Sequence, residues 1–119
     1  MQKDLLPIMI GYAPAAADAM LRDLGGTLHV FDDRRRGLLF LRRNIRYHKI
    51  PGFEPDIVAM YLKDICAEYP DRLPVVGAAP ERRRLLDALT GDIESFCVIL
   101  REDNLELCKA LKNSGTDRQ

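Results

Sequence analysis

Short apolar runs bounded by glycine, proline or acidic residues recur along the chain and predict buried strands. These runs lie at residues 5–10, 27–31, 37–41, 73–76 and 95–100. Runs of this length between turn residues are typical of strands that are covered on both faces. At residues 45–48 the apolar and polar positions alternate, which is typical of a half-exposed edge strand.

Apolar positions at helical spacing predict four helices. They cover residues 15–24, 54–69, 81–90 and 104–112. Pro14 and Pro55 fit first helical turns, where the missing N–H of proline costs no hydrogen bond. Gly25 after the first helix and Gly91 after the third favour helix ends at these positions.

Two stretches of the chain share one order of elements. Each runs from Leu-Pro through an apolar strand, Gly-x-x-Pro, a helix, glycine and a second apolar strand to an acidic end, beginning near Leu5 and Arg72. An internal duplication is one explanation of the similarity. The other is that any two strand–helix–strand units carry glycine and proline at these turn and helix-end positions. In either case the two strands of such a unit are normally parallel.

These elements predict a single α/β domain over residues 1–112 and a disordered polar tail at residues 113–119. We expect a Rossmann-like sheet of about five strands, mostly parallel, with one hairpin at residues 34–36 and about four covering helices. A ferredoxin-like α+β domain with an antiparallel sheet is the alternative. A chain of 119 residues can bury one core of this kind without disulfides or a metal.

The composition excludes several classes of protein. The apolar fraction is 47% and the formal net charge is zero, which does not fit a disordered chain. The three cysteines have no zinc-site spacing and fit a reducing compartment. There is neither a signal-peptide pattern nor an apolar run of about 20 residues, so we expect a cytoplasmic protein without membrane contact. No motif indicates a cofactor or a metal.

The two Gly-x-x-Pro tetrapeptides form the first candidate site. Ligands of open α/β sheets bind beyond the carboxyl ends of the strands, and the N–H groups at a helix start attract anions. Pro14 and Pro80 each remove one donor, and no phosphate-loop sequence is present. The pattern predicts a small anionic ligand such as a phosphate or nucleotide. The predicted ligand-binding residues are Gly11, Tyr12, Ala13, Gly77, Ala78 and Ala79.

Residues 34–49 form the second candidate site, because they carry seven basic residues and no acidic one. The basic residues are Arg34, Arg35, Arg36, Arg42, Arg43, Arg46 and Lys49. Arginine pairs with phosphate in bidentate fashion, and the nearby Tyr47 and Phe53 suit stacking on unpaired bases. The segment predicts nucleic-acid or polyanion binding. A charged edge strand that resists edge-to-edge pairing, or a protein interface, explains the same pattern.

Single histidines and acidic strand ends complete the candidates. His29 alternates with Leu28 and Val30, which predicts that its side chain points away from the core. His48 has no metal ligands at the usual spacing. Asp32 and Asp33 end a strand, and paired carboxylates there suit acid–base chemistry or Mg²⁺.

The sequence favours a non-catalytic regulatory or accessory module. No nucleophile–base pair, metal cluster or cofactor motif is present, so no catalytic residue is predicted and an enzymatic activity stays an open question. We expect such a module to act through a protein partner or as a homodimer, and to bind a small anionic ligand at the Gly11 and Gly77 turns. Nucleic-acid binding through residues 34–49 is the alternative.

Overall fold

A computed structural model describes residues 4–34 and 44–100, and it arranges five strands in one parallel sheet. The strands are β1 (Asp4–Ile10), β2 (Leu28–Asp32), β3 (Ile45–Lys49), β4 (Arg72–Ala78) and β5 (Val98–Ile99). Their order across the sheet is β3-β2-β1-β4-β5. The central β1 is covered on both faces, and its residues 6–10 are all buried. The α/β class and the largely parallel sheet predicted from the sequence are therefore confirmed.

The hairpin predicted at residues 34–36 is wrong for β2, because both edges of this strand have parallel neighbours, β1 and β3. Strands β2 and β3 pair in parallel, from Leu28 opposite Ile45 to Asp32 opposite Lys49. Parallel neighbours need a crossover rather than a tight turn. The parallel pairing also overturns the ferredoxin-like alternative. The predicted strand at residues 37–41 lies outside the described residues.

Three helices cover the two faces of the sheet. Helix α1 (Pro14–Leu24) lies on one face, while α2 (Pro55–Glu68) and α3 (Arg83–Ile93) lie on the other. The sequence gives α1 a narrow apolar stripe, and its buried residues are Ala17, Met20 and Leu24. Within the described residues, no helix is long and apolar enough to cross a membrane.

Helix α3 begins and ends later than its sequence pattern predicts. Pro80–Arg82 forms a separate 3₁₀ turn, and α3 continues through Gly91 to the buried Ile93. Burial of Ile93 stabilises the last turn of the helix by more than a glycine costs in an exposed helical position. The predicted fourth helix at residues 104–112 lies outside the described residues.

The two Gly-x-x-Pro tetrapeptides occupy different places in the sheet. Gly11 follows β1 and has φ +75°, in the left-handed region that favours glycine. Gly77 lies inside β4, directly opposite Met9, and Ala78 lies opposite Ile10. The residue of the β4 unit that corresponds to Gly11 is therefore Ala79. Only the first tetrapeptide joins a strand end to a helix as predicted; the second begins within its strand.

Candidate functional site

The buried carboxylate of Asp32 occupies the turn that follows β1. Asp32 is the last residue of β2 and is only 2% exposed. Its Oδ2 accepts a hydrogen bond of 3.0 Å from the backbone N–H of Tyr12, twenty residues earlier in the chain. The sequence predicted that the N–H of Tyr12 would bind an external anion, but this N–H donates to a side chain of the protein itself.

Arg34 pairs with the same carboxylate. Its side chain donates to Asp32 Oδ2 at 2.8 Å and to Oδ1 at 3.2 Å, and its backbone N–H donates to Oδ1 at 3.1 Å. The guanidinium also donates to the carbonyl of Tyr12 at 3.0 Å. Burial favours the neutral carboxyl, but the hydrogen bonds and charge of Arg34 and the N–H of Tyr12 outweigh it and lower the pKa of Asp32. Asp32 therefore stays ionised, and it links the turn after β1 to the turn after β2.

Arg82 closes the crevice between the ends of β1 and β4. This is the point at which the strand order reverses, where open α/β sheets usually bind their ligands. A Cβ atom added to Gly11 would lie 2.8 Å from Arg82 Cγ and 3.4 Å from Ala79 Cβ. The guanidinium of Arg82 then stacks on Phe53, 3.8 Å from the ring centroid. The arginine stem therefore takes the space directly above Gly11.

A pocket of about 340 Å³ lies beside this closed crevice, between α1 and α3. It is lined by Ala16, Ala19, Met20, Asp23, Gly77, Ala78, Arg83, Leu86, Asp87 and Leu100. Because β5 ends at Ile99, its pairing with β4 stops at Val76, and the pocket opens beside the following two residues of β4. A Cβ atom added to Gly77 would lie 3.1 Å from Met20 Sδ, so the glycine lets the helix approach the strand here.

The pocket has apolar walls and a charged rim. Small side chains from α1, together with Met20, Leu86 and Leu100, form the walls. The rim carries Asp23 from α1, and Arg83 and Asp87 from α3. Arg22 donates a hydrogen bond to Asp23 at 3.4 Å, whereas no ion pair joins Arg83 to Asp87 within the described residues. Apolar walls with a few polar groups are typical of a small-molecule site.

The six predicted ligand-binding residues divide between two places. Gly77 and Ala78 line the pocket, whereas Gly11, Tyr12, Ala13 and Ala79 lie at the neighbouring turns. Sequence reasoning missed the remaining lining residues. Ala16 and Met20 recur at helical spacing, but apolar residues at this spacing indicate only which face of a helix is buried. Asp23 carries no local signal. Arg83 belongs to the run of three arginines after Pro80, and this position near a helix start predicts that one of them can reach a bound anion. Nothing local in the sequence indicates Asp87.

The basic segment is described only in part. Arg34 is paired with Asp32, while Arg46 and Lys49 are exposed on β3, at the edge of the described sheet. Among the described strands, β3 lies at the edge of the sheet, as predicted. The remaining predicted polyanion-binding residues, Arg35, Arg36, Arg42 and Arg43, lie outside the described residues.

Two histidines form a pair under α2. His29 is 2% exposed, so the prediction that it points away from the core is wrong. Its Nδ1 lies 2.9 Å from Nε2 of His48, close enough for one ring to donate a hydrogen bond to the other. Burial, followed by the charges of His48, Arg46 and Arg72, lowers the pKa of His29 to about 4. Burial also lowers the pKa of His48, against the opposing charge of Glu68.

We expect this pair to make the stability depend on pH. A histidine whose pKa is lower in the folded state stabilises the fold above its unfolded pKa, here 6.5, and this contribution is lost as the pH falls towards about 4. The free energy of unfolding should therefore fall by about 2 kcal/mol between pH 7 and pH 5 from His29 alone. Urea unfolding at pH 7 and at pH 5 measures this difference in the free energy of unfolding. The His29→Asn variant, which can keep a hydrogen bond to His48, should lose most of this dependence, and an unchanged slope would contradict the assignment.

Neither a metal cluster in the described part of the chain nor a related protein indicates what the pocket, the Asp32 turn and the histidine pair do. Among the described residues, no group of three or more His, Cys, Asp or Glu side chains is placed to hold a metal ion. No protein-family model, curated protein or solved structure matches the chain. The pocket between α1 and α3 is the arrangement of described residues best suited to binding another molecule.

Proposed function

We propose that this protein is a non-catalytic α/β module that binds a small organic anion in the pocket between α1 and α3. The observation that carries the proposal is the pocket itself, which opens beside the last two residues of β4, next to the point where the strand order reverses. Binding there would let the module act as a regulatory or accessory protein.

The lining residues favour a ligand with an apolar body and one negative charge. Arg83 is the cationic side chain among the described lining residues, and apolar side chains form the walls. Asp87 and the Arg22-paired Asp23 on the same rim would repel the several charges of a nucleotide or free phosphate more strongly than a single carboxylate charge, which Arg83 can balance. A volume of about 340 Å³ is near the lower end for ligand pockets, which suits a small metabolite. A monocarboxylate with an apolar body meets these conditions.

The turn after β1 is less suited to the anion expected from the sequence. The N–H of Tyr12 already donates to Asp32, and the stem of Arg82 lies above Gly11. An incoming phosphate would have to displace a buried carboxylate that accepts several hydrogen bonds. We therefore propose that the ligand binds beside Gly77 and Ala78 at the end of β4.

Benzoate is a suitable first probe of the pocket. We expect it to bind with a Kd on the order of 1 mM, typical of so small a ligand, and to shift the amide resonances of Gly77 and Ala78. Benzyl alcohol and benzylamine test the apolar contact without the negative charge. The expected order of affinity is benzoate first, the alcohol second and the amine last, and inorganic phosphate should not compete.

A matched pair of variants on α1 tests the location. Ala19→Leu places a larger side chain in the pocket, whereas Ala15→Leu adds the same side chain to an exposed position outside it. Benzoate affinity should fall about tenfold in the first variant, equal to about 1.4 kcal/mol, and stay unchanged in the second. Arg83→Gln should abolish the preference for benzoate over the alcohol. Equal affinities in the two alanine variants would refute binding in this pocket.

A further inference from the structure

Two cysteines that are distant in sequence lie in contact on the α2–α3 face of the sheet. Cys66 lies in the last turn of α2, and Cys97 immediately precedes β5. Their sulfur atoms are 3.9 Å apart, and both thiols are free. Cys97 is buried, while Cys66 is only half-buried. One thiol of the pair is therefore more accessible to solvent than the other.

The contact makes the two thiols chemically unequal. The hydrogen bond between the sulfur atoms lowers the pKa of Cys66, and the same contact together with burial raises the pKa of Cys97. The thiolate is the reactive form of cysteine, and an accessible thiolate beside a second thiol is the arrangement found in redox-sensitive sites. Cys66 is thus the thiol expected to react first.

We propose that Cys66 and Cys97 form a reversible disulfide when the protein meets hydrogen peroxide. The Cys66 thiolate attacks one peroxide oxygen, the O–O bond breaks, and the departing hydroxide takes up a proton to become water. Cys66 then carries a sulfenic acid. The sulfur of Cys97 attacks the sulfur of Cys66, the S–O bond breaks, and a second water leaves with the thiol proton of Cys97. The two thiols lose two electrons, and one peroxide is reduced to two waters.

The geometry requires only a local movement for this step. The sulfur atoms must approach from 3.9 Å to about 2 Å, the length of a disulfide bond. Cys66 lies two residues before the end of α2 and Cys97 lies outside the paired part of β5, so neither is fixed in the middle of an element. Side-chain rotation with a small shift of the helix end can supply the movement.

The bond would link elements that are far apart in the chain. Cys66 and Cys97 are separated by 31 positions, so the bond closes a long loop and restricts the unfolded chain. Oxidation should raise the melting temperature by an amount on the order of 10 °C. The helix end and the start of β5 would then be held together covalently, and reduction would release them.

Peptide mapping of the full chain after brief peroxide treatment tests the proposal. We expect the peptides containing Cys66 and Cys97 to be linked, with the loss of two hydrogen atoms, and dithiothreitol to restore both thiols. Repeating the oxidation in urea tests whether the pairing depends on the fold. In the unfolded chain, Cys97 should also link to Cys108, which is close to it in sequence. A Cys108→Ser protein is used for the melting measurements, so that a single pairing is measured.

Single substitutions separate the two roles. Made in the Cys108→Ser protein, Cys97→Ser should stop at the sulfenic acid of Cys66, which dimedone traps. In the same protein, Cys66→Ser should form neither disulfide nor adduct. Peptide mapping of the unmutated chain provides a result that does not depend on how well the variants fold. Unlinked Cys66 and Cys97 in the folded, peroxide-treated chain, or a dimedone adduct on Cys97 rather than Cys66, would overturn the proposal.

Discussion

Replacing Asp32 with alanine is expected to lower the free energy of unfolding by about 3 kcal/mol. The substitution removes a buried carboxylate that accepts hydrogen bonds from the backbone of Tyr12 and from both the side chain and the backbone of Arg34. The N–H of Tyr12 would then be left without its acceptor. Urea denaturation of the variant and the original protein at neutral pH measures the difference.

Asp33 provides the matched control for this prediction. It has the same side chain, is the next residue in the chain, and is exposed. Asp33→Ala should change the stability by less than about 0.5 kcal/mol, as is usual for a surface position. The stabilisation from Asp32 should also disappear in acid, because a carboxyl with a lowered pKa stabilises the fold only while it is ionised. If both variants lost the same small amount, the Asp32 contacts would not be stabilising the turn.

Replacing Gly11 with alanine should also cost about 3 kcal/mol, for two separate reasons. Its φ of +75° is unfavourable for any residue with a Cβ atom. That Cβ would also lie 2.8 Å from Arg82 Cγ, whose own guanidinium is held on Phe53. Thermal and urea unfolding of the variant measure the combined loss.

Gly26 separates the two contributions. It has nearly the same φ, +74°, but no atom within 4 Å of an added Cβ. Gly26→Ala should therefore lose only the conformational part, about 1 kcal/mol. Arg82→Ala introduced together with Gly11→Ala should recover part of the loss, which a double-mutant cycle would quantify. Equal losses at Gly11 and Gly26 would exclude a role for Arg82.

Local patterns in the sequence predicted most of the fold correctly. The apolar runs, the first-turn prolines and Gly25 placed β1, α1 and α2 close to their observed bounds, because these signals act over a few residues. The antiparallel partner predicted for β2 was wrong because strand pairing is a long-range property. A short basic stretch between two apolar runs resembles a hairpin, and no local pattern shows that Leu28 pairs in parallel with Ile45.

The candidate site could be predicted only in part. The Gly-x-x-Pro pattern drew attention to Gly77 and Ala78, but the pocket they line depends on where β5 stops and on how α1 packs. The pairing of Asp32 with Tyr12 joins residues twenty positions apart and has no sequence signature. Binding of a protein partner, homodimer formation and nucleic-acid contact through residues 34–49 stay predictions.

The central position of β1 affects how the chain can fold while it is being synthesised. Once Asp32 has left the ribosome, β1 can pair with β2, but its other edge needs β4, which starts only at Arg72. Until then a strand that is apolar from Leu5 to Ile10 presents one open edge to solvent or to a chaperone. Translation pauses between these two points would prolong that interval, and the nascent chain is most vulnerable to aggregation there.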